Sequence, residues 1–339
     1  MTPARASHDA GLRALLPARG TVTAALAEYV GMLAVLGGLI LFFSLWTDHF
    51  FTRTSFQMIA SQVPDATIAA VGMTFVLIVA GIDLSVGSVL ALGSGVLGVL
   101  VAPRAGGGLA QPVALGIAAC LGVGLLCGLF NGLVTVRWRL PSFIVTLGML
   151  EIGRGATMIV LDSRTVTIGS RIEWIAAARL WVLPLPFVVA VATVALGHLV
   201  LTRTVFGRHV VAVGSNEETA RLCGVRVPRV KVMVFALCGL LASLAGVMQV
   251  SRAEGASPNA GSGFELDTIA AVVIGGTSLM GGRGNVVRSF LGVLIIAVLG
   301  AGLIQAGAKD PTKRLITGAV IVAAVVLDYY RQRLKRGAA

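Results

Sequence analysis

From residue 29 onward the chain alternates long apolar runs with short polar breaks. Each run is close to the ~20 residues a helix needs to cross a hydrocarbon core. The first, 29–47 (YVGMLAVLGGLILFFSLWT), is free of charge. Further runs fall at about 56–81, 83–102, 113–136, 140–160, 180–201, 232–251, 266–281, 286–306 and 314–330. Turn chemistry marks the joints: Gly106-Gly107-Gly108, Gln111-Pro112, Pro141, Pro184, Pro258, Gly281-Gly282 and Pro311. The eighth run has only 15 residues between Asp267 and Arg283 and reads as a partial or tilted crossing. The pattern predicts an all-α, polytopic membrane protein of about ten transmembrane helices. A cytoplasmic tail (1–25) precedes the transmembrane domain (26–330), which includes a long loop at 202–231, and a basic tail (331–339) follows. The residues before 29 lack the apolar core of a cleavable leader, so the first helix reads as an uncleaved anchor.

Composition narrows the class. Of 339 residues 56% are hydrophobic and 12% charged, about half the charge of a soluble domain; the mean hydropathy is +0.92. Soluble enzymes, secreted domains and disordered proteins are excluded. The net charge of +12 would suggest nucleic acid in a soluble protein, but the basic residues flank apolar runs, which is the signature of membrane orientation. With the N-terminus inside, 17 of the 27 Lys and Arg fall in cytoplasmic segments and both termini are cytoplasmic. Cys120, Cys127, Cys223 and Cys238 form no CxxC pair, and the four histidines are scattered, so no metal or redox centre is expected. No P-loop, G-x-S-x-G or H-E-x-x-H occurs. The chain reads as no enzyme and as needing no cofactor, and any ATP hydrolysis belongs to a partner.

Polar residues at membrane depth are costly and therefore mark candidate sites. Gly81-Ile82-Asp83-Leu84-Ser85-Val86-Gly87-Ser88 separates two apolar runs; Asp83 and Ser85 either cap a new helix or line a pathway, and Ser88 follows one turn on. Glu151 and Arg154 stand three apart inside one run, close enough to pair, as a structural ion pair or as a gate. In the loop 202–231, Ser215 or Asn216 is a good N-cap, Glu217 and Glu218 suit a first turn, and Gly224 with Pro228 suits a stop. A mere connector needs only a few residues, so this two-turn helix reads as a docking surface. Gly261 to Asp267 and Ile274 to Gly284 form a Gly-interrupted segment, suited to a broken helix or to close packing.

These residues carry a resemblance. The chain resembles the permease subunits of bacterial ATP-binding-cassette (ABC) importers for monosaccharides (ribose/xylose/galactose type), which are related to branched-chain amino acid permeases. The matching segments are Gly72-Met73-Thr74, Gly81 to Ser88, Asn131-Gly132, Pro141 to Gly148, Arg154-Gly155, Gly214 to Gly224 and Glu265 to Leu279, so that the resemblance runs from about 56 to 330. It implies two permeases framing a pathway, as a homodimer or paralogous heterodimer. A cytoplasmic ABC ATPase would dock on a coupling helix containing Gly214, Asn216, Glu217, Glu218, Ala220, Arg221 and Gly224. A periplasmic sugar-binding protein would deliver the substrate, and the setting would be the inner membrane of a bacterium. Hydroxyl partners for a sugar would include Asn131, Thr146, Gln249 and Asn259. Thr268 stands where relatives often carry Ala. An importer for amino acids or another polar metabolite, an ion-coupled carrier using Asp83, Glu151 and Arg154, and a membrane scaffold are the competing readings. Lipid surrounds the chain in each, and nucleic acid is a partner in none.

Overall fold

The computed structural model describes residues 19–326 apart from 48–49, 182, 310, 314, 321 and 324–325, with side-chain environments from residue 29. Its helices are α1 (Arg19–Trp46), α2 (Arg53–Ile78), α3 (Val86–Val101), α4 (Val113–Arg137), α5 (Ser142–Val160), α6 (Ser170–Ala177) and α7 (Leu185–Arg203). They continue with α8 (Val205–Ser215), α9 (Glu217–Leu222), α10 (Val227–Ala253), α11 (Phe264–Ile274) and α12 (Val286–Gln305). Four two-residue strands form two antiparallel pairs: β1 (Val166–Thr167) with β4 (Gly255–Ala256), and β2 (Arg179–Leu180) with β3 (Leu183–Pro184).

Among the described residues, seven helices (α1, α2, α4, α5, α7, α10 and α12) are long and apolar enough to cross a membrane. One expected crossing is shorter than read, and the run taken as a partial or tilted crossing is short indeed. The run at 83–102 is helical only from Val86, for 16 residues. The run at 266–281 holds an eleven-residue helix that stops at Ile274, about 16 Å of axial rise against a core of about 30 Å. The tenth, at 314–330, is described only in part, at 315–320, 322–323 and 326, all helical; both expected tails lie largely outside the described residues. Four elements were not foreseen: α6, the β1–β4 and β2–β3 pairs, and α8, which makes the loop 202–231 two helices in place of one.

The buried α2 and α10 form the centre. Small residues set the spacing around them: a methyl on Gly128 of α4 would overlap the Phe235 carbonyl of α10, the close approach by which membrane helices attract in the absence of a hydrophobic drive. The outer helices turn apolar side chains outward, including Leu126, Ile159 and Leu196. That is the surface of a chain whose solvent is lipid.

The bundle has two distinguishable ends. At one, β1 and β4 pair, and Arg171 of α6 donates to Val101 O at the end of α3 (2.8 Å). At the other lie α8, α9 and the 275–285 turn, where Gly282 N donates to Ile78 O (2.8 Å).

Candidate functional site at two helix breaks

The first break follows α2. The helix closes with Ala80 N donating to Leu77 O and Gly81 N to Val76 O, each 2.9 Å, while Ala80 takes a left-handed φ of 57°, which costs an L-residue about 1–2 kcal/mol. Residues 81–85 then run without helical hydrogen bonds, and backbone at this depth must find other partners. The start of α5 supplies them: Ile82 N donates to Ser142 Oγ (2.9 Å), Leu84 N to Thr146 Oγ1 (3.0 Å), and Thr146 Oγ1 to Ile82 O (3.2 Å).

Asp83, 1% exposed, closes the turn. Its Oδ1 accepts from Ser85 N (2.9 Å) and Ser85 Oγ (2.6 Å), and Asn131 Nδ2 of α4 donates to the same Ser85 Oγ (2.9 Å). Ser88 Oγ donates to Ser85 O (2.9 Å). Five of the residues singled out in the sequence, Asp83, Ser85, Ser88, Asn131 and Thr146, are therefore one buried cluster. Asp83 does not cap α3 through the free N–H groups of its first turn. It holds Ser85, the residue that precedes the helix. Cys238 of α10, buried and adjacent to Asp83, belongs here too. Its sequence surroundings are uniformly apolar and gave no signal.

The second break follows α10. After Glu254 the chain turns back along α3: Ala256 sits where a methyl on Gly98 would be, and Gly261 reaches Gly87 at the opposite end of that helix. Gly261 has φ 62°, and a side chain there would meet Gly87 O. A methyl on Gly87 would in turn overlap Gly261 O and Glu265 Oε2. Only glycine at both positions lets the starts of α3 and α11 meet backbone to backbone. From this junction α3 runs to the β1–β4 end and α11 to the other. Two partly positive helix N-termini thus adjoin, a place where carboxylates are favoured. Glu265 Oε2 lies there with no hydrogen-bond partner.

Arg154 is the correction that matters most. The expected Glu151–Arg154 pair is not formed among the described residues. The guanidinium instead donates to Ala260 O and to Gly261 O (2.6 Å), tying α5 to the second break. Glu151 stands on the exposed face of α5. The two remaining hydroxyl-partner candidates lie apart from the Asp83 cluster. Asn259 is exposed in the turn after β4, and Gln249 faces a separate cavity.

The surface helices touch the first break and the turn after α11. In α9, Asn216 Oδ1 accepts from Thr219 N (2.9 Å), Glu217 and Glu218 occupy the first turn, and Glu217 pairs with Lys231 of α10 (2.6 Å) and with Arg221 (3.6 Å). The helix stops with Val225 N on Ala220 O (3.0 Å) and Gly224 at φ 83°. Gly214 is the last turn of α8, where a methyl would overlap Ile78 O and press on Gly282 N (2.7 Å). The end of α2, the turn after α11 and the start of the α9 segment thus meet at one point.

Broken helices whose ends meet inside an apolar bundle define a multi-pass membrane transport component. Residues 55–325 match the family model described as the permease component of branched-chain amino acid transport systems, and the chain belongs to that family. It is 37% identical over 313 residues to the ribose import permease protein RbsC of Escherichia coli (strain K12), covering 91% of this chain and 95% of the relative. It is 38% identical over 293 residues to RbsC of Bacillus subtilis (strain 168), covering 86% and 89%. The galactofuranose transporter permease protein of E. coli K12 is 34% identical over 275 residues, covering 80% and 79%.

Proposed function

We propose that the chain is the membrane permease subunit of a bacterial ABC importer for a monosaccharide, set in the inner membrane with α8 and α9 on the cytoplasmic side. Relatives carrying sugar-import names along nearly the whole chain support the substrate class. The excess of basic residues at 203–231 supports the orientation. One observation carries the mechanism: Gly214 is wedged against Ile78 O and Gly282 N, so the surface helices bear on the first break and on the turn after α11 through a single backbone contact.

In this reading a soluble ATPase docks on α9, whose capped ends make it a rigid lever. ATPase closure displaces α8, and the displacement reaches the Asp83 turn through Ile78 and the Gly87–Gly261 junction through α11. Arg154 holds the second break against α5 in the state described. A periplasmic binding protein supplies affinity for the sugar, and a second permease, identical or paralogous, completes the pathway.

The test is purification of the tagged chain from native membranes in mild detergent. An ATPase that co-purifies, and is lost with Glu218→Arg or Gly224→Pro, is the expected result. A chain that purifies alone and moves solute only under a proton or sodium gradient would remove the importer reading.

A further inference from the structure

A cavity of about 320 Å³ lies between α2, α10, α11, α12 and the segment after α12. It is separate from the Asp83 cluster and touches the second break only through Phe264, the first residue of α11. Asp65 and Arg252 line it as a bidentate pair (2.9 and 2.8 Å), with Arg252 also donating to Ser61 O (2.7 Å). Gln62, Gln249, Phe264, Asp267, Lys313 and Thr317 complete the polar and aromatic lining.

The charges balance, two carboxylates against two cations, so neither an anion nor a cation gains from entering. A neutral ligand that both donates and accepts gains most. Gln249 Oε1 is buried with no hydrogen-bond partner, a deficit that one hydroxyl would relieve. The Phe264 ring offers an apolar wall to the C–H face of a sugar ring. The volume is at the small end of ligand pockets, about 300–1,000 Å³, with room for roughly ten water-sized groups. That suits one monosaccharide and excludes an oligosaccharide.

We propose that this cavity is a low-affinity subsite for a single neutral monosaccharide within the permease, an inference that rests on the sugar-importer reading. Its ligand would contact the start of α11 and so the junction with α3. Occupancy and the state of the second break are then linked, because a ligand favours whichever conformation it contacts better.

The test uses the full chain in nanodiscs of zwitterionic lipid with ribose, fructose and L-arabinose as millimolar probes, the sugars printed in the names of relatives. Saturation-transfer NMR reads binding, and uptake of the same labelled sugars is measured in cells carrying the complete transporter. The expected result is saturation of at least one sugar. It should weaken about tenfold, the factor set by one lost interaction of ~1.4 kcal/mol, in both Gln249→Leu and the cavity-filling Ala297→Phe, each eluting as a single species. Uptake of a sugar without saturation in the wild type, or with saturation unchanged in both variants, overturns the subsite and leaves the importer reading standing. Saturation of glycerol 3-phosphate in place of any sugar makes the cavity a lipid-headgroup site and also overturns it. No uptake and no binding of any probe removes both readings.

Discussion

Asp83 accepts two hydrogen bonds from a residue two positions away, and that local geometry sets what its side chain must supply. One oxygen acceptor suffices for Ser85 N and Ser85 Oγ. Asp83→Asn keeps that acceptor, and thermal unfolding in detergent should stay close to wild type. Asp83→Ala leaves the Ser85 amide unpaired at membrane depth and should lower stability by about 1–3 kcal/mol, with a matching fall in the unfolding midpoint. Equal loss in both variants would mean that the charge itself is required. Arg154 shows the limit of reading residues by type. Glu151 is its obvious partner in sequence, yet its acceptors are two carbonyls more than a hundred residues away. Carbonyls belong to every residue, so no sequence pattern marks them. Glu265 was visible only as part of a Gly-rich segment for the same reason: what faces its carboxylate is the bare Cα of Gly87.

Among elements, α9 was legible apart from the choice of Ser215 or Asn216 as cap and the placing of Gly214, which belongs to α8, because its signals are chemical and local: Asn216 at the cap, two acidic residues in the first turn, Gly224 past the end. The breaks were half legible. Their glycines and polar residues stood out, but the eleven-residue length of α11 did not. Gly275 to Met280 adds no charge to an apolar run, and hydropathy does not register Gly276 at φ 79° or Gly281 at φ 83°. The contact of α8 with the end of α2 and with the turn after α11 is where an element-scale prediction belongs. Gly214→Val forces a branched side chain onto Ile78 O. ATPase binding should survive, because α9 is intact, while sugar-stimulated ATP hydrolysis and uptake fall at least tenfold. By contrast Asn216→Ala removes one cap, about 1 kcal/mol of local helix stability, and should weaken ATPase binding first. Parallel measurements of subunit co-purification and transport separate the two. A Gly214→Val protein that transports normally would sever α8 from the mechanism.

For the whole molecule, membrane class and the positions of seven spanning helices follow from hydropathy, since burial in lipid asks only for apolar length. How those helices nest does not, because close packing depends on where small residues from distant segments face one another, as Gly128 faces Phe235 O. The nesting also has an order in time. The stretch 254–263 carries backbone groups that cannot face lipid. Apart from the first turn of α11, whose amides reach Gly261 O and Gly263 O, what shelters them precedes them in the chain: α3 along their length, Arg154 on Ala260 and Gly261, and Ile168 N with Gly169 N on Glu254 O (2.8 and 3.0 Å). A chain stopped after Ala253 should therefore insert α3 and α5 in protease-resistant form during synthesis, whereas a chain lacking 161–169 should leave 254–263 open to cleavage. The early half of the protein is, in effect, the chaperone of the late half: the ribosome finishes the receptacle before it makes the segment that has no other place to go.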